Sequence, residues 1–183
     1  MNSQGQNPAH ERFELDEAAI DAARQSIDDG VITATLNLPV DKLIKLLNDS
    51  LATELVCVLR YRRHHFTVDG VTSPKIKEEF LVHAQEEQAH ADKLAERIVQ
   101  LGGKPDFSPE TLKSRSHADY DDSDTLASMV RANLVAERVA IEAYRQLIQL
   151  IGDRDPTTRQ MLTDILADEE EHADELKDWL PKN

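Results

Sequence analysis

Two copies of Glu-x-x-His, each with a matched glutamate upstream, constrain this chain more than any other feature. The first set is Glu54, Glu87 and His90; the second is Glu137, Glu169 and His172. The interval between the glutamates is 33 residues in the first set and 32 in the second. Tyr61 follows Glu54 by seven residues, and Tyr144 follows Glu137 by seven. Both motifs run on as His-Ala-Asp, at His90-Ala91-Asp92 and His172-Ala173-Asp174. A helical pair is therefore repeated, and the repeat carries four carboxylates and two imidazoles. Positions i and i+3 share one helix face, so Glu87 with His90, and Glu169 with His172, can address the same metal. Such a set belongs to a carboxylate-bridged dinuclear metal site in the core of a four-helix bundle.

Charge makes the grouping coherent. Four carboxylates balance two divalent ions if both imidazoles are neutral, and buried acids are tolerable only with such a partner. Glu87 and Glu169 are expected as bridges, with Glu54 and His90 terminal on one ion, and Glu137 and His172 terminal on the other. Mixed carboxylate and imidazole ligation suits iron or manganese, with zinc as an impostor. A solvated helix face would explain one Glu-x-x-His. It does not explain two with matched partners, nor why Glu54 sits amid Leu51, Leu55 and Val58, or Glu137 amid Leu134, Val135, Val139 and Ala140.

Apolar periodicity supplies the helices. Leu43, Ile44, Leu47, Leu51, Leu55, Val58 and Tyr61 recur at three- and four-residue spacing over about 40–68, ending at Asp69-Gly70. A second helix has Ser73 as cap and Pro74 in its first turn, and ends at Leu101 before Gly102-Gly103. The third runs from Ser123 or Asp124 to Ile151, closed by Gly152. The fourth starts at the Asp155 cap with Pro156 and ends near Leu180-Pro181. Short turns make each pair an antiparallel hairpin. The linker 102–122, rich in Pro, Ser and Asp, is long enough to cross a helix of about 42 Å as a structureless crossover. Residues 1–38 read as an N-terminal arm: polar over Met1–His10, a short helix from about Asp16 to Asp28 with Phe13 and Leu15 leading in, then extended over Val31–Leu36. Residues 39–183 read as the bundle.

Composition agrees with an all-α class: of 183 residues, 40% are hydrophobic, 31% charged and only 4% aromatic. No secretory pattern opens the chain and no apolar run spans a membrane, so a cytoplasmic protein is expected. The single cysteine, Cys57, excludes an intrachain disulfide framework. A net charge of −14 disfavours nucleic acid and anionic membranes and favours cations, though solubility alone explains much of it.

Other side chains are open to two readings. Tyr61 lies two turns from Glu54 on its face, either donating a hydrogen bond or an electron to the site or packing as a core tyrosine. Tyr144 has the same relation to Glu137. His83, one turn before Glu87, either guides incoming metal or is a satisfied or exposed histidine. Glu86 is expected to face outwards, and His64 and His65 to be surface residues. Cys57 is expected in the core, and Trp179 at the bundle end or a subunit contact.

These residues resemble the ferritin-like superfamily, and bacterioferritins most closely, over about residues 40–180. Glu54, Glu87-x-x-His90, Glu137 and Glu169-x-x-His172 match that family's ferroxidase ligands one for one, and Tyr61 its tyrosine beside the site. The resemblance implies oxidation of Fe(II) by O2 or H2O2 at two iron ions per subunit, and iron storage in a hollow cage. Bacterioferritins bind haem through a methionine directly after the first motif's glutamate; here that position is Gln88, so haem is not expected. Only 11 residues follow His172, leaving no room for the fifth short helix of twenty-four-subunit ferritins. That feature and the N-terminal arm look more like Dps-like proteins that keep a bacterioferritin-type site in twelve-subunit cages. Members of that group can carry a cysteine pair near the site, from which the lone Cys57 departs. True Dps proteins place their metals between subunits, unlike this within-chain set.

The leading expectation is a ferroxidase with mineral storage in a homo-oligomer, with Glu78, Glu79, Glu86 or Asp92 facing the cavity. A diiron oxidase, monooxygenase or peroxidase, or a dimanganese catalase, would share the constellation. DNA coating in the Dps manner is not expected, because the arm offers only Arg12 and Arg24 before residue 40, among many acids.

Overall fold

The structure, a computed structural model, describes residues 14–69 and 73–180. Six α-helices are present among them and no strand. They are α1 (Glu17–Gln25), α2 (Val40–Thr67), α3 (Pro74–Gln100), α4 (Pro109–Arg115), α5 (Leu126–Ile151) and α6 (Pro156–Asp178). Helix α2 packs chiefly on α3, and α5 on α6. These are two antiparallel hairpins, joined face to face through α2 against α5 and α3 against α6. The result is a ferritin-like four-helix bundle with a long crossover between its second and third long helices.

Local chemistry sets the helix ends. The Asp155 carboxylate accepts from the Thr158 amide, and Pro156 occupies the first turn of α6. Gly102 and Gly152 close α3 and α5 with φ of 79° and 57°. Gly103 is needed for space, because a Cβ there would lie 2.8 Å from the Ile44 side chain. Helix α5 starts later than expected, at Leu126. The Thr125 hydroxyl caps the Ser128 amide, while Ser123 is turned back onto Asp121. Helix α6 ends at Asp178, short of Leu180; Pro181 and Gly70 lie outside the described residues.

The arm departs from expectation. Helix α1 covers only Glu17–Gln25, with Asp16 as its cap, and a separate 3-10 turn takes Ile27–Asp29. Residues 31–36 are not extended. Leu36 N–H donates to the Thr33 carbonyl at 2.9 Å and Asn37 to Thr35 at 2.8 Å, so the chain satisfies its backbone in local turns. Met1–His10, Arg12 and Phe13 lie outside the described residues.

The crossover is not structureless either. It contains α4 and is strapped along α2 by a series of hydrogen bonds. Asn48 holds Lys104 O and Asp106 N, and Arg115 returns to Asn48 O. Thr53 then accepts from His117 N, Arg60 donates to Asp119 O, and Arg63 to Ser123 O. Side chains on α2 thus satisfy the backbone of a segment that has no ladder of its own.

The core is divided in two. One apolar cluster includes Leu43, Leu47, Leu51, Leu94, Ile98, Leu147, Ile151, Leu162 and Ile165. The other includes Cys57, Tyr61, Phe80, Ala84, Met129, Val130, Ala136 and Leu176, with Trp179 packed against it at the bundle end. Each fully buried leucine contributes about 1.5–3 kcal/mol. Along all four long helices, the break between the clusters falls where the Glu and His motifs sit.

Candidate metal centre

Helix periodicity brings the six motif residues into that break. Glu54 comes from α2, Glu87 and His90 from α3, Glu137 from α5, and Glu169 and His172 from α6. All six are at most 3% exposed. Potential ligand atoms of Glu54, Glu87, His90 and Glu169 lie within 4.8 Å of one another. The same holds for Glu87, Glu137, Glu169 and His172, so the two groups overlap in Glu87 and Glu169.

Both imidazoles present Nδ1 to the carboxylates. His90 Nδ1 lies 3.1 Å from Glu169, 3.3 Å from Glu87 and 3.6 Å from Glu54. His172 Nδ1 lies 3.8, 3.9 and 4.0 Å from Glu87, Glu169 and Glu137. The outer nitrogens are held across the motifs. His90 Nε2 meets Asp168 at 3.0 Å, and His172 Nε2 meets Glu86 at 2.9 Å. Each imidazole is thus oriented by the acid that immediately precedes the glutamate of the other motif. A carboxylate on the outer nitrogen fixes the tautomer and ring angle of a ligating histidine.

The tyrosines are crossed in the same way. The Tyr61 hydroxyl on α2 donates to Glu137 on α5, and the Tyr144 hydroxyl on α5 donates to Glu54 on α2. Burial, then the charge of Glu137 for Tyr61 and of Glu54 for Tyr144, drives both phenols well above their ordinary value, so they stay donors.

The donor set fits a pair of cations. Glu54 Oε2, Glu87 Oε1, Glu137 Oε2, Glu169 Oε2 and His172 Nδ1 are all buried without a hydrogen-bond partner. Burial first, then the neighbouring carboxylate charges, pushes Glu87 and Glu169 well above the usual range. Burial opposes the charge on His90, but Glu54 and Glu87 outweigh it and raise the imidazole to about 10. Burial would also raise Glu54, yet hydrogen bonds from His90, Glu87 and Tyr144 hold it below the usual range. These shifts favour protons on Glu87, Glu169 and His90 where no cation is bound.

Residues 44–182 match the ferritin-like domain family. The chain belongs to the ferritin-like family. Among its relatives, the DNA protection during starvation protein of Halobacterium salinarum is 30% identical over 147 residues, 76% of this chain and 79% of that protein. The bacterioferritin of Desulfovibrio desulfuricans is 26% identical over 132 residues, 72% of this chain and 70% of the relative. Among solved structures, the bacterioferritin-related dodecameric thioferritin of Bacteroides fragilis superposes with a TM-score of 0.75 at 28% identity, covering 89% of this chain and 92% of that one. Ferritin-like relatives of both the bacterioferritin and the Dps kind are therefore at hand. No helix among the described residues is long and apolar enough to cross a membrane.

Other side chains fall differently from expectation. His64 and His65 are buried, not surface residues. His64 bonds Asn133 at 3.1 Å and lies 3.3 Å from Asp121, and His65 Nδ1 meets Lys77 O at 2.7 Å. Late in α2 the chain is still covered, by α3 on one side and the crossover on the other. Glu86 is exposed as expected, yet its carboxylate reaches inwards to His172. Val135, beside Glu137 in sequence, is 62% exposed, so it does not pack the site. Cys57 is buried with Arg60 Nη2 at 3.3 Å, and burial pushes its thiol well up. Glu78 and Asp92 are exposed, and Asp92 accepts from Gln88 at 3.0 Å.

Three features of this ferritin-like site were missed in the sequence. Asp168 orients His90; its signal was the acid directly before the glutamate in both motifs. Arg60, fully buried, donates to Asn133 at 2.7 Å beneath the site. Nothing in their spacing announces a pair 73 residues apart. Arg97, bound to Thr158 and Asp155 at 2.7 and 3.0 Å, ties α3 to the start of α6.

Proposed function

We propose that the protein is a ferroxidase that oxidises Fe(II) with O2 or H2O2 and stores the product in a cage of identical chains. Fe(II) is the substrate, two ions per chain. The single observation that carries this reading is the pair of ligand groups overlapping in Glu87 and Glu169. Glu87 and Glu169 would be shared by the two ions, with Glu54 and His90 holding one and Glu137 and His172 the other. Two divalent ions balance four carboxylates, and their binding displaces protons from Glu87, Glu169 and His90. Mixed oxygen and nitrogen donors admit manganese as well.

The two ions together give up two electrons, which reduce O2 and two protons to H2O2, or H2O2 and two protons to two waters. The residues of the chain hold the pair close, keep Tyr61 and Tyr144 protonated as donors, and fix both imidazoles through Asp168 and Glu86. Gln88 supplies no thioether, so no haem is assigned.

Similarity to the dodecameric thioferritin supports a twelve-chain cage. Twelve chains of 20.6 kDa give a particle of about 250 kDa. Light scattering at that mass supports it; a dimer or a twenty-four-chain particle rejects it.

Anaerobic Fe(II) loading followed by stopped-flow mixing with O2 or H2O2 tests the chemistry. A rapid rise in ferric absorbance that saturates at roughly two Fe(II) per chain is expected. Glu87→Ala should lose it. The faster oxidant separates storage from peroxide detoxification, and no rapid phase with either oxidant would reject the ferroxidase in favour of manganese chemistry or a substrate oxidase.

The name of the Halobacterium relative supports a second reading, protection of DNA. Against it stand the charge of −14 and Arg24, which is paired with Asp21 in its own helix. A gel shift that survives physiological salt would favour it.

A further inference from the structure

The helices that pack extensively on one another are α2, α3, α4, α5 and α6; α1 stands outside that set and has no buried residue. The arm is nevertheless folded and rooted. The Asp16 carboxylate accepts from the amides of Ala18 and Ala19, and Leu36 and Leu38 pack on the first apolar cluster. Ile20 and Ala23 face Thr33 and Ala34 across a cavity of about 230 Å³. Leu15 and Ile27, at the two ends of this small unit, are each 79% exposed. Nine residues are too few to hold an isolated helix firmly in water, so α1 needs a cover that its own bundle does not supply.

A matching surface lies on α5. Two cavities of about 390 and 290 Å³ adjoin along it and share His117 and Val139. Leu46 and Leu150 line one, Tyr120 and Val135 the other. Val135 is 62% exposed and Leu150 58%. From Leu150 to Arg131 this trough extends about 28 Å along the helix. No arm residue lines either cavity.

The charges of arm and trough are complementary. Residues 14–38 carry six acids and one arginine, and that Arg24 is paired with Asp21. The exposed ridge of α5 carries Arg131, Arg138 and Arg145 at seven-residue intervals, against one acid, Glu142. In a protein of net charge −14 this is a local reversal of sign. Arg131 and Arg138 make no ion pair among the described residues. Asp119 and Asp121 stand on the opposite wall, so a docking segment turns its acids towards α5 and its apolar side onto the floor.

We propose that the trough along α5 receives the acidic arm of a second copy of this chain. The chain's own arm is held elsewhere. Hydrogen bonds from Ile32 to Asp29, Leu36 to Thr33 and Leu38 to Leu36 keep α1 close to its root. That root packs on the cluster of Leu43 and Ile151, whereas Arg131 lies towards the other end of α5. The contact joins two different patches, so it closes by reciprocal exchange between two chains or around a rotation axis. It rests on the homo-oligomer of the cage reading and on none of its metal chemistry.

Two full-length variants test the contact, Ile27→Cys on the arm and Val135→Cys in the trough, co-expressed and then oxidised. Cys57 is buried and does not compete. A disulfide joining the two chains is expected, identified by peptide mass. Val99→Cys, at an exposed position on α3, should give at most a trace in place of Val135→Cys. Arg131→Glu with Arg138→Glu should slow bridging about five-fold, the scale of two exposed ion pairs, and Glu14→Lys with Glu17→Lys should restore it. Equal bridging to both positions would overturn the docking. So would bridging confined to single chains of the Ile27→Cys, Val135→Cys double variant, or none at all. Any of these outcomes alongside a twelve-chain mass in light scattering would leave the cage standing. Bridging that ignores the charge reversal would overturn the assignment of the arginines.

Discussion

Tyr144 on α5 donates its hydroxyl proton to Glu54 on α2, and not to Glu137, the glutamate of its own helix. Tyr61 makes the converse bond, from α2 to Glu137 on α5. Each phenol thereby links one hairpin to the other at the level of the metal ligands, and each supports a different half of the site. Tyr144→Phe should weaken one of the two Co(II) steps by about ten-fold and Tyr61→Phe the other. Calorimetric titration separates the steps. Equal loss at both steps in either variant would contradict the crossed arrangement.

Proton release should accompany metal binding. Burial and then the charges of Glu137 and Glu54 push Glu87 well above the usual range, burial and then Glu87 do the same to Glu169, and His90 is raised to about 10, so a divalent ion should expel protons from this pocket at neutral pH. Lowering the pH restores the competing protons, and apparent affinity falls. Zn(II) titrated into weakly buffered protein with a pH indicator should give an acid burst, smaller in Glu87→Gln. Binding that leaves the pH untouched would mean that the pocket is already ionised.

Stability and metal affinity should be opposed at Glu169. Its Oε2 is buried without a partner, among three other carboxylates. Glu169→Gln removes the cost of burying that carboxyl in the metal-free protein and, on the ferroxidase reading, removes the ligand shared by both ions. The melting temperature of chelated protein should rise by about 2–4 °C for each kcal/mol gained. The further increase that Co(II) gives the wild type should shrink. Calorimetry showing the variant less stable than wild type in chelator would refute this.

His64 should make the bundle sensitive to mild acid. Burial first, and then the Arg60 guanidinium, depress it from 6.5 to about 4. Its contribution is complete above pH 6.5. It is lost progressively as the pH falls towards 4, because the unfolded chain takes up the proton before the folded one does. Urea melts across that window should show a shallower decline for His64→Gln than for wild type. Parallel curves would assign the acid response to other groups.

Much of the fold could be read from periodicity and caps, because those signals are local. Pro74, Gly102, Gly152 and the Asp155–Pro156 pair each act within a turn of where they stand. The bundle and the convergence of six residues followed from helical spacing alone. Burial of His64 and His65 could not be read, because their cover comes from other elements: Asp121 of the crossover and Asn133 of α5 for His64, and Lys77 of α3 for His65. The Arg60–Asn133 pair escaped for the same reason. Asp168 and Glu86 are a different case: the repeated acid before each motif glutamate was visible, but which imidazole each would reach depends on how the hairpins meet. The turns over 31–36 defeated the extended reading because β-branched residues without a partner strand satisfy their backbone locally.

Neither ligand group is supplied by one hairpin. The first takes Glu54, Glu87 and His90 from α2 and α3 but needs Glu169 from α6; the second takes Glu137, Glu169 and His172 from α5 and α6 but needs Glu87 from α3. An ion in either position is therefore a removable staple across two halves that also meet through both apolar clusters, the crossed tyrosines and the Arg97–Asp155 pair. Cutting the crossover would leave two fragments whose reunion a metal would strengthen, and the intact crossover keeps each half at high effective concentration for the other.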